Sequence, residues 1–402
     1  MADHTPLAAR VSRLGSWLAL GLVAGALAGG ASFLFLAMLE RATAYRLAHE
    51  TIVFALPLAG LAMGFAYERF GATVKAGASL VIDRLAEGGP ELPLRMAPMV
   101  LFGTVVTHLF GGSAGREGTA VQMGASLADF VAHRLRLTAP RRHELLVAGV
   151  AGGFGSVFGT PLAGAVFALE FVRARHLALH AAVPAIVAAI AGDLLAQRLG
   201  VTHAHYTQVS ALPWELSHAV RWLAVVVAVA AVAMLFVDLT HAVKKRAEAL
   251  LPSLPLRMFV GGVVVVALWR LFGTGTYLGL SDGLVARALG DRELPPFAFA
   301  LKLVFTAVTL GVGFVGGEVT PLFVVGATLG NTLARVLGLP LEITVAVCFA
   351  SVFSVAARTP LALAVMAGEV FGVHVLPVAF FVNVAAGALT GSRTIYPSQR
   401  ER

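Results

Sequence analysis

Apolar residues run along this chain in long stretches, and the charges fall in short gaps between them. The first stretch, Leu14 to Leu39, carries no charge and follows Arg10 and Arg13. It is too long for the apolar core of a signal peptide, and more stretches follow, so it predicts a first membrane helix. Further apolar segments predict helices at roughly 52–66, 95–110, 117–132, 144–158, 161–172, 181–196, 217–237, 256–272, 296–315, 319–337, 341–356, 360–371 and 374–390. Several are shorter than the roughly 20 residues that a full crossing needs. Gly and Pro interrupt them at Gly152-Gly153, Gly159-Thr160-Pro161, Gly316-Gly317, Thr320-Pro321 and Thr359-Pro360. Short, broken apolar segments predict half-helices that meet near the bilayer midplane. Non-helical backbone is tolerated there only where protein covers it or it lines a cavity.

The pattern also repeats. TPLAGAVFALE, Thr160 to Glu170, matches TPLALAVMAGE, Thr359 to Glu369, at eight of eleven positions and an offset of 199 residues. Upstream, Gly115-Arg116-Glu117-Gly118-Thr119 aligns with Gly317-Glu318-Val319-Thr320-Pro321 at an offset of 202. Gly124-Ala125 then falls on Gly326-Ala327, and Leu127 on Leu329. Two blocks in the same order at nearly the same offset indicate a duplicated half. Duplicated halves with broken helices predict a transporter with its substrate site at the repeat interface. The expected organisation is one transmembrane unit over 1–402, with repeats at roughly 14–200 and 215–396 and no soluble domain or long linker.

Composition agrees and excludes other classes. Hydrophobic residues make up 58% and charged residues 13%, against about 25% charged in soluble domains, so a soluble enzyme is excluded. The mean hydropathy is +0.84. The 43 glycines suit close packing of membrane helices. The net charge is +8. Basic residues sit in short loops, at Arg134/Arg136/Arg141/Arg142, Arg173/Arg175 and Lys244/Lys245/Arg246 with Arg257, and Arg400 and Arg402 stand at the end. They read as topology signal and lipid headgroup contact, not as a nucleic-acid surface, and place both termini in the cytoplasm. The single Cys348 excludes an intrachain disulfide and a CxxC metal site. No His/Cys/Asp set has metal spacing, and no cofactor is expected.

The candidate chemistry lies in GGSAGREGTAVQMGA, Gly111 to Ala125. Its glycines lead into a helical pattern and free backbone N–H groups at a helix N-terminus, where the dipole adds about half a positive charge. That is an anion site without a cationic side chain. The repeat mate, GGEVTPLFVVGATLG from Gly316, builds a second one. Two such helix ends facing each other would hold a small dehydrated anion. The alternative is that the Gly–Gly pairs serve close helix packing. Glu117 lies inside the first motif, and an intramembrane carboxylate is by default a functional group. Itself an anion, it can occupy the substrate's place, and protonation would release it. The alternative is a salt bridge with Arg116, which the divergent faces of neighbouring helical residues disfavour. Glu318 in the second motif either caps its helix or shares a proton with Glu117.

These motifs resemble the CLC anion channels and proton-coupled anion exchangers, over nearly the whole chain to Tyr396. Where that family carries GSGIP, GREGP and GxFxP, this sequence has Gly77-Ala78-Ser79-Leu80-Val81, GREGT with Thr119, and Gly317-Glu318-Val319-Thr320-Pro321. GREGT, GGEVTP and the terminal Ile395-Tyr396-Pro397-Ser398-Gln399 are similar to the bacterial fluoride/proton antiporter branch. The branch often has Asn where Ala78 stands. The resemblance implies an all-α polytopic fold of two inverted-repeat halves with broken and re-entrant helices. It implies a homodimer in the bacterial inner membrane, moving fluoride or chloride against protons, with fluoride export preferred over chloride exchange or passive conduction. Glu117 is then the external gating glutamate, with Glu318 as a second acidic group in proton transfer. The anion contacts implied are Ala78, Ser79, Gly115, Arg116, Glu117, Gly118, Glu318, Val319, Thr320 and the Tyr396 hydroxyl. Chloride exchangers carry an inner proton glutamate where this chain has Phe171.

Other residues read as structural. Glu170 and Glu369 are expected to cap helices or to pair with Arg173 or Arg358. His108 and His143 are expected to be packing residues, and Lys302 to snorkel. Apart from the resemblance, Tyr396 also fits an interfacial anchor. A membrane enzyme would differ by consuming a covalent substrate, where transport leaves only a gradient.

Overall fold

The computed structural model describes residues 7–87, 91–171, 177–204, 206–210, 216–290 and 294–399. Among them every regular element is helical, and the only pairing of β type is an isolated antiparallel bridge between Gly115 and Gly317. The first half holds α1 (Leu7–Ala48), α2 (Leu56–Phe70), α3 (Ala78–Glu87), α4 (Met96–Leu109), α5 (Glu117–Arg134), α6 (Ala139–Phe158), α7 (Pro161–Glu170) and α8 (Ala182–Arg198). The second holds α9 (Leu216–Leu250), α10 (Leu254–Phe272), α11 (Gly283–Leu289), α12 (Ala298–Gly311), α13 (Val319–Leu337), α14 (Leu341–Ala357), α15 (Pro360–Phe371) and α16 (Val375–Leu389).

Six helices among the described residues are long and apolar enough to cross a bilayer, including Leu14–Ala48, Glu50–Phe70 and Val319–Leu337. Large apolar side chains such as Leu22, Leu34, Phe65, Val227, Leu235 and Phe381 are exposed on the outer helices, a distribution suited to lipid contact and not to water. α5 packs on α6 and α13 on α14, and these four helices form the buried centre.

The hydrophobic pattern located most of these helices, and the differences have local causes. α1 continues past Leu39 through Glu40 and Arg41, because no breaker interrupts good helix formers. α9 likewise runs through Lys244-Lys245-Arg246 and ends before Pro252. α3 and α11 lie outside every predicted segment, being short and polar-interrupted. α7 and α15, at 10 and 12 residues, reach only about 15–18 Å and cannot cross a core of about 30 Å. α5 and α13 have 18 and 19 residues, or about 27–28 Å.

Inversion of the halves is visible in two places. The Gly115–Gly317 bridge runs antiparallel, with Gly115 N–H donating to Gly317 O at 2.5 Å and Gly317 N–H to Gly115 O at 2.9 Å. A Cβ on Gly115 would lie 2.8 Å from Pro321 Cδ, and one on Gly317 2.9 Å from Gly118 N, so both strands must be glycine to meet. Further on, Glu369 at the end of α15 accepts from Leu162 and Ala163 N–H at the start of α7, at 2.9 and 2.7 Å. Glu170 at the end of α7 accepts from Leu361 and Ala362 N–H of α15, at 3.1 and 2.8 Å. Each short helix caps the other's N-terminus, so the two run antiparallel. Of the two roles open to Glu170 and Glu369, capping is the one observed, and it acts across the repeats. Arg173 lies outside the described residues, as do Arg175, Arg400 and Arg402.

Candidate functional site

The bridge brings the starts of α5 and α13 together. Arg116 is the N-cap of α5 and Glu318 the N-cap of α13, both in the αR region and neither with a side-chain cap bond. The Glu117 side chain, fully buried, does not stay over its own helix. Its carboxylate reaches the N-terminus of α13, where it accepts from Thr320 N–H at 3.1 Å and from the Thr320 hydroxyl. It also accepts from Arg116 N–H at 3.2 Å and pairs with Arg116 Nε at 3.3 Å. The salt bridge disfavoured on helical geometry therefore forms, because Arg116 caps the helix instead of lying within it. It coexists with the contact to α13. A carboxylate here is held by oriented N–H groups and by the dipole of the facing helix.

Glu318 stands half-buried beside it. Its Oε1 accepts from the Tyr396 hydroxyl. Tyr396 is 5% exposed, so it is a buried group and not a headgroup anchor. The segment carrying it is held by Ile395 N–H to Ala356 O at 2.9 Å and by Gln399, whose Nε2 donates to Phe171 O and Ala357 O, both at 2.9 Å. Phe171 packs edge-on against the Tyr396 ring with centroids 5.1 Å apart. Thr119 of α5 meets Thr104 of α4 through their hydroxyls at 2.7 Å.

Glu117, Arg116, Gly118, Glu318, Val319, Thr320 and Tyr396 are thus brought together by two helix starts and one terminal segment. Gly115 is part of the crossing, but its N–H is engaged by Gly317 O, so it is not a free anion donor. Ala78 and Ser79 stand at the start of α3, which packs on α5, and Ser79 N–H is engaged by Ala76 O at 3.1 Å. Their neighbour Gly77 borders Gln122, a residue the sequence did not single out. Gln122 lies one helical turn after Gly118, donates Nε2 to Gly118 O at 3.0 Å and is 8% exposed. That i, i+4 relation on α5 was the only signal available.

Two cavities approach the crossing. One, of about 440 Å³, is lined by Lys75, Gly77, Gln122, Lys244, Arg257 and Gly316, among others. The other, of about 390 Å³, is lined by Glu40, Thr43, Leu47, Arg116, Leu280 and Asp282, among others. The first opens beside Tyr67 near the end of α2, the second near the end of α1. Those spans cross the membrane in succession, so the cavities lie on opposite sides of the crossing. Arg116 borders the one, and Gln122 and Gly316 border the other.

His108 fits the packing reading: its ring nitrogens lie 2.8 and 2.9 Å from Thr104 O and Ala114 O. His143 contacts His180 on an exposed face, at 3.1 Å. Lys302 does not snorkel. It is fully buried on α12, and its Nζ donates to Ser113 Oγ, Gly279 O and Ser281 Oγ at 2.7–2.9 Å.

The profile of the "Voltage gated chloride channel" family matches residues 59–391. A "Chloride/fluoride channel protein" of Pseudomonas syringae pv. tomato is 43% identical over 393 residues, covering 96% of this chain and 87% of its own. The crystal structure of a CLC-type fluoride/proton antiporter superposes with a TM-score of 0.93 at 33% identity, over 99% of this chain and 100% of the other. A slow cyanobacterial Cl⁻/H⁺ antiporter shares the fold, with a TM-score of 0.80 at 20% identity over 95% and 96% of the two chains.

Proposed function

The chain belongs to the voltage-gated chloride channel family, the CLC proteins, and on that premise we propose that it exports fluoride in exchange for protons. The observation that carries the reading is the Glu117 carboxylate seated on the α13 N-terminus, bonded to Thr320 N–H and hydroxyl. An ionised Glu117 fills the donors that a small anion requires. Once protonated, it loses the charge that holds it against Arg116 and α13, and the anion takes those donors. The ionised Glu117 carboxylate and the anion then exclude each other at one place, so anion entry is tied to proton uptake, which is the requirement for exchange and not for conduction.

Fluoride, in preference to chloride, is supported by the second carboxyl. Fluoride is expensive to dehydrate and needs strong donors at close range. Glu318, linked to the Tyr396 hydroxyl, donates to fluoride when protonated and repels any anion when ionised. Substrate and proton are then linked at the site, with no need for an inner glutamate at the position of the buried Phe171. The fluoride/proton antiporter and the chloride/fluoride relative found by comparison support the same choice. Repeats over roughly 14–200 and 215–396, a homodimer with one pathway per subunit, and a place in the bacterial inner membrane belong to this proposal. The cavity carrying Lys75, Lys244 and Arg257 faces the cytoplasm in it, as the positive-inside tendency directs.

Purified protein in liposomes tests this directly. Fluoride and chloride efflux are followed by electrode while internal pH is recorded. The expected result is fluoride efflux with stoichiometric proton entry and little chloride movement. Chloride-driven proton movement, or fluoride efflux without proton movement, would replace the reading by a chloride exchanger or a passive channel.

A further inference from the structure

We propose that Lys302 supplies the buried positive charge whose counter-ion is the transported fluoride, and that it acts on the approach to the Glu117 site. The inference rests on the fluoride reading above and adds a residue to it. Lys302 is 0% exposed in the middle of α12. All its hydrogen-bond partners are neutral oxygens: Ser113 Oγ and Ser281 Oγ at 2.9 Å, and the carbonyls of Gly279 and Tyr277 at 2.7 and 3.3 Å. No carboxylate among the described residues lies within ion-pair distance of it. A buried cation without a partner is among the most expensive groups a protein can hold. Four oxygens solvate the ammonium, but they do not cancel its charge.

The other cation at the crossing, Arg116, is paired with Glu117 while that carboxylate is ionised, so Lys302 is the one whose charge is uncompensated in both states of the gate. Arg46 approaches the same loop as Lys302, its guanidinium lying below Gly279, and adds to the positive field. Asp282 follows Ser281 and lines the outer cavity with Arg116 and Glu40, so it opposes that field from the mouth. His108, bonded to Ala114 O, stands next to the same strand. The positive charge reaches the site through that strand. α12 presents Lys302, Thr306 and Thr309 on one face, and all three bond to Ser113, two residues ahead of Gly115. Chain geometry therefore puts the ammonium on the order of 10 Å from the start of α5. At that range and an effective dielectric near 20, one charge changes an anion's binding constant by on the order of tenfold.

The role differs from that of a tether, and the test separates the two. Lys302→Met removes the charge and every bond, and apolar replacement of a buried ion is commonly tolerated. Ser113→Ala keeps the charge and breaks the link to the strand. Fluoride binding is measured by calorimetry on detergent-purified protein, with thermal unfolding as a check. The expected outcome is about tenfold weaker fluoride binding in Lys302→Met, with Ser113→Ala within twofold of wild type. Lys302→Gln, which keeps two N–H donors, serves if the Met variant does not fold, and should show the same loss. Fluoride binding within twofold of wild type in a folded Lys302 variant overturns the proposal. Equal weakening in Ser113→Ala and the Lys302 variant also overturns it, by assigning Lys302 a tethering role only. Should both Lys302 variants fail to fold, Asp282→Asn decides: removing that exposed carboxylate should tighten fluoride several-fold, and unchanged or weaker binding overturns the proposal. Wild-type protein that binds no fluoride would instead defeat the fluoride reading itself.

Discussion

Replacing Glu117 by Gln tests the gate at its most exposed assumption, that a negative charge holds the side chain in place. The carboxylate accepts from Arg116 N–H at 3.2 Å, Arg116 Nε at 3.3 Å, Thr320 N–H at 3.1 Å and the Thr320 hydroxyl. Hydrogen bonds to a charged group contribute about 1.5–3 kcal/mol and neutral ones about 0.5–1.5, so each contact weakens by about 1 kcal/mol. The amide also points an NH₂ at a set of donors, and at least one contact turns repulsive. Four contacts give an upper limit of about 4 kcal/mol. Counting the two longer contacts to Arg116 at half weight leaves about 3 kcal/mol, or on the order of a hundredfold in occupancy of the site. The variant should therefore bind fluoride on the order of a hundredfold more tightly by calorimetry, since its competitor is gone. In liposomes proton movement should cease, and fluoride movement should be either arrested or uncoupled. Wild-type fluoride affinity together with retained proton-coupled exchange in Glu117→Gln would refute the reasoning.

Three further outcomes are expected. Tyr396→Phe removes one hydroxyl bond to Glu318 and should weaken fluoride binding by about 1 kcal/mol; a titration with unchanged affinity argues that the hydroxyl serves only to hold Glu318. Glu318→Ala leaves the buried Tyr396 hydroxyl without its acceptor and should cost about 1–3 kcal/mol of stability together with fluoride preference or proton coupling, and a folded, reconstituted variant with both intact defeats the proton-sharing role. Glu170→Ala and Glu369→Ala each strip a helix start of two N–H acceptors and should lower stability by about 1–2 kcal/mol without changing fluoride-over-chloride selectivity; a selectivity change in either would show that these caps belong to the ion path.

Some of this was written in one dimension. Apolar runs bounded by Gly and Pro marked α13 and α15 to the residue, because a bilayer leaves helix as the form for such a run. The two repeated blocks announced two related halves, and the GREG and GGEV motifs announced two helix starts rich in free N–H groups. Glu117 stood out because a carboxylate in an apolar stretch is unusual in itself. What the sequence could not carry were relations between distant segments. Nothing local says that Glu369 caps α7 or that Gln399 holds Tyr396 against Glu318, since those partners lie 78 to 228 residues apart. Duplication is legible in one chain, whereas inversion is a relation of direction, seen only once Gly115 and Gly317 pair antiparallel. Arg116 shows the limit at short range: helical geometry separates it from Glu117, and its position as a cap brings them together. Lys302 looked like a residue that would reach for the interface. The oxygens of Ser113, Gly279 and Ser281 hold it inside, because a charge settles where its solvation is best, and only the folded chain decides where that is.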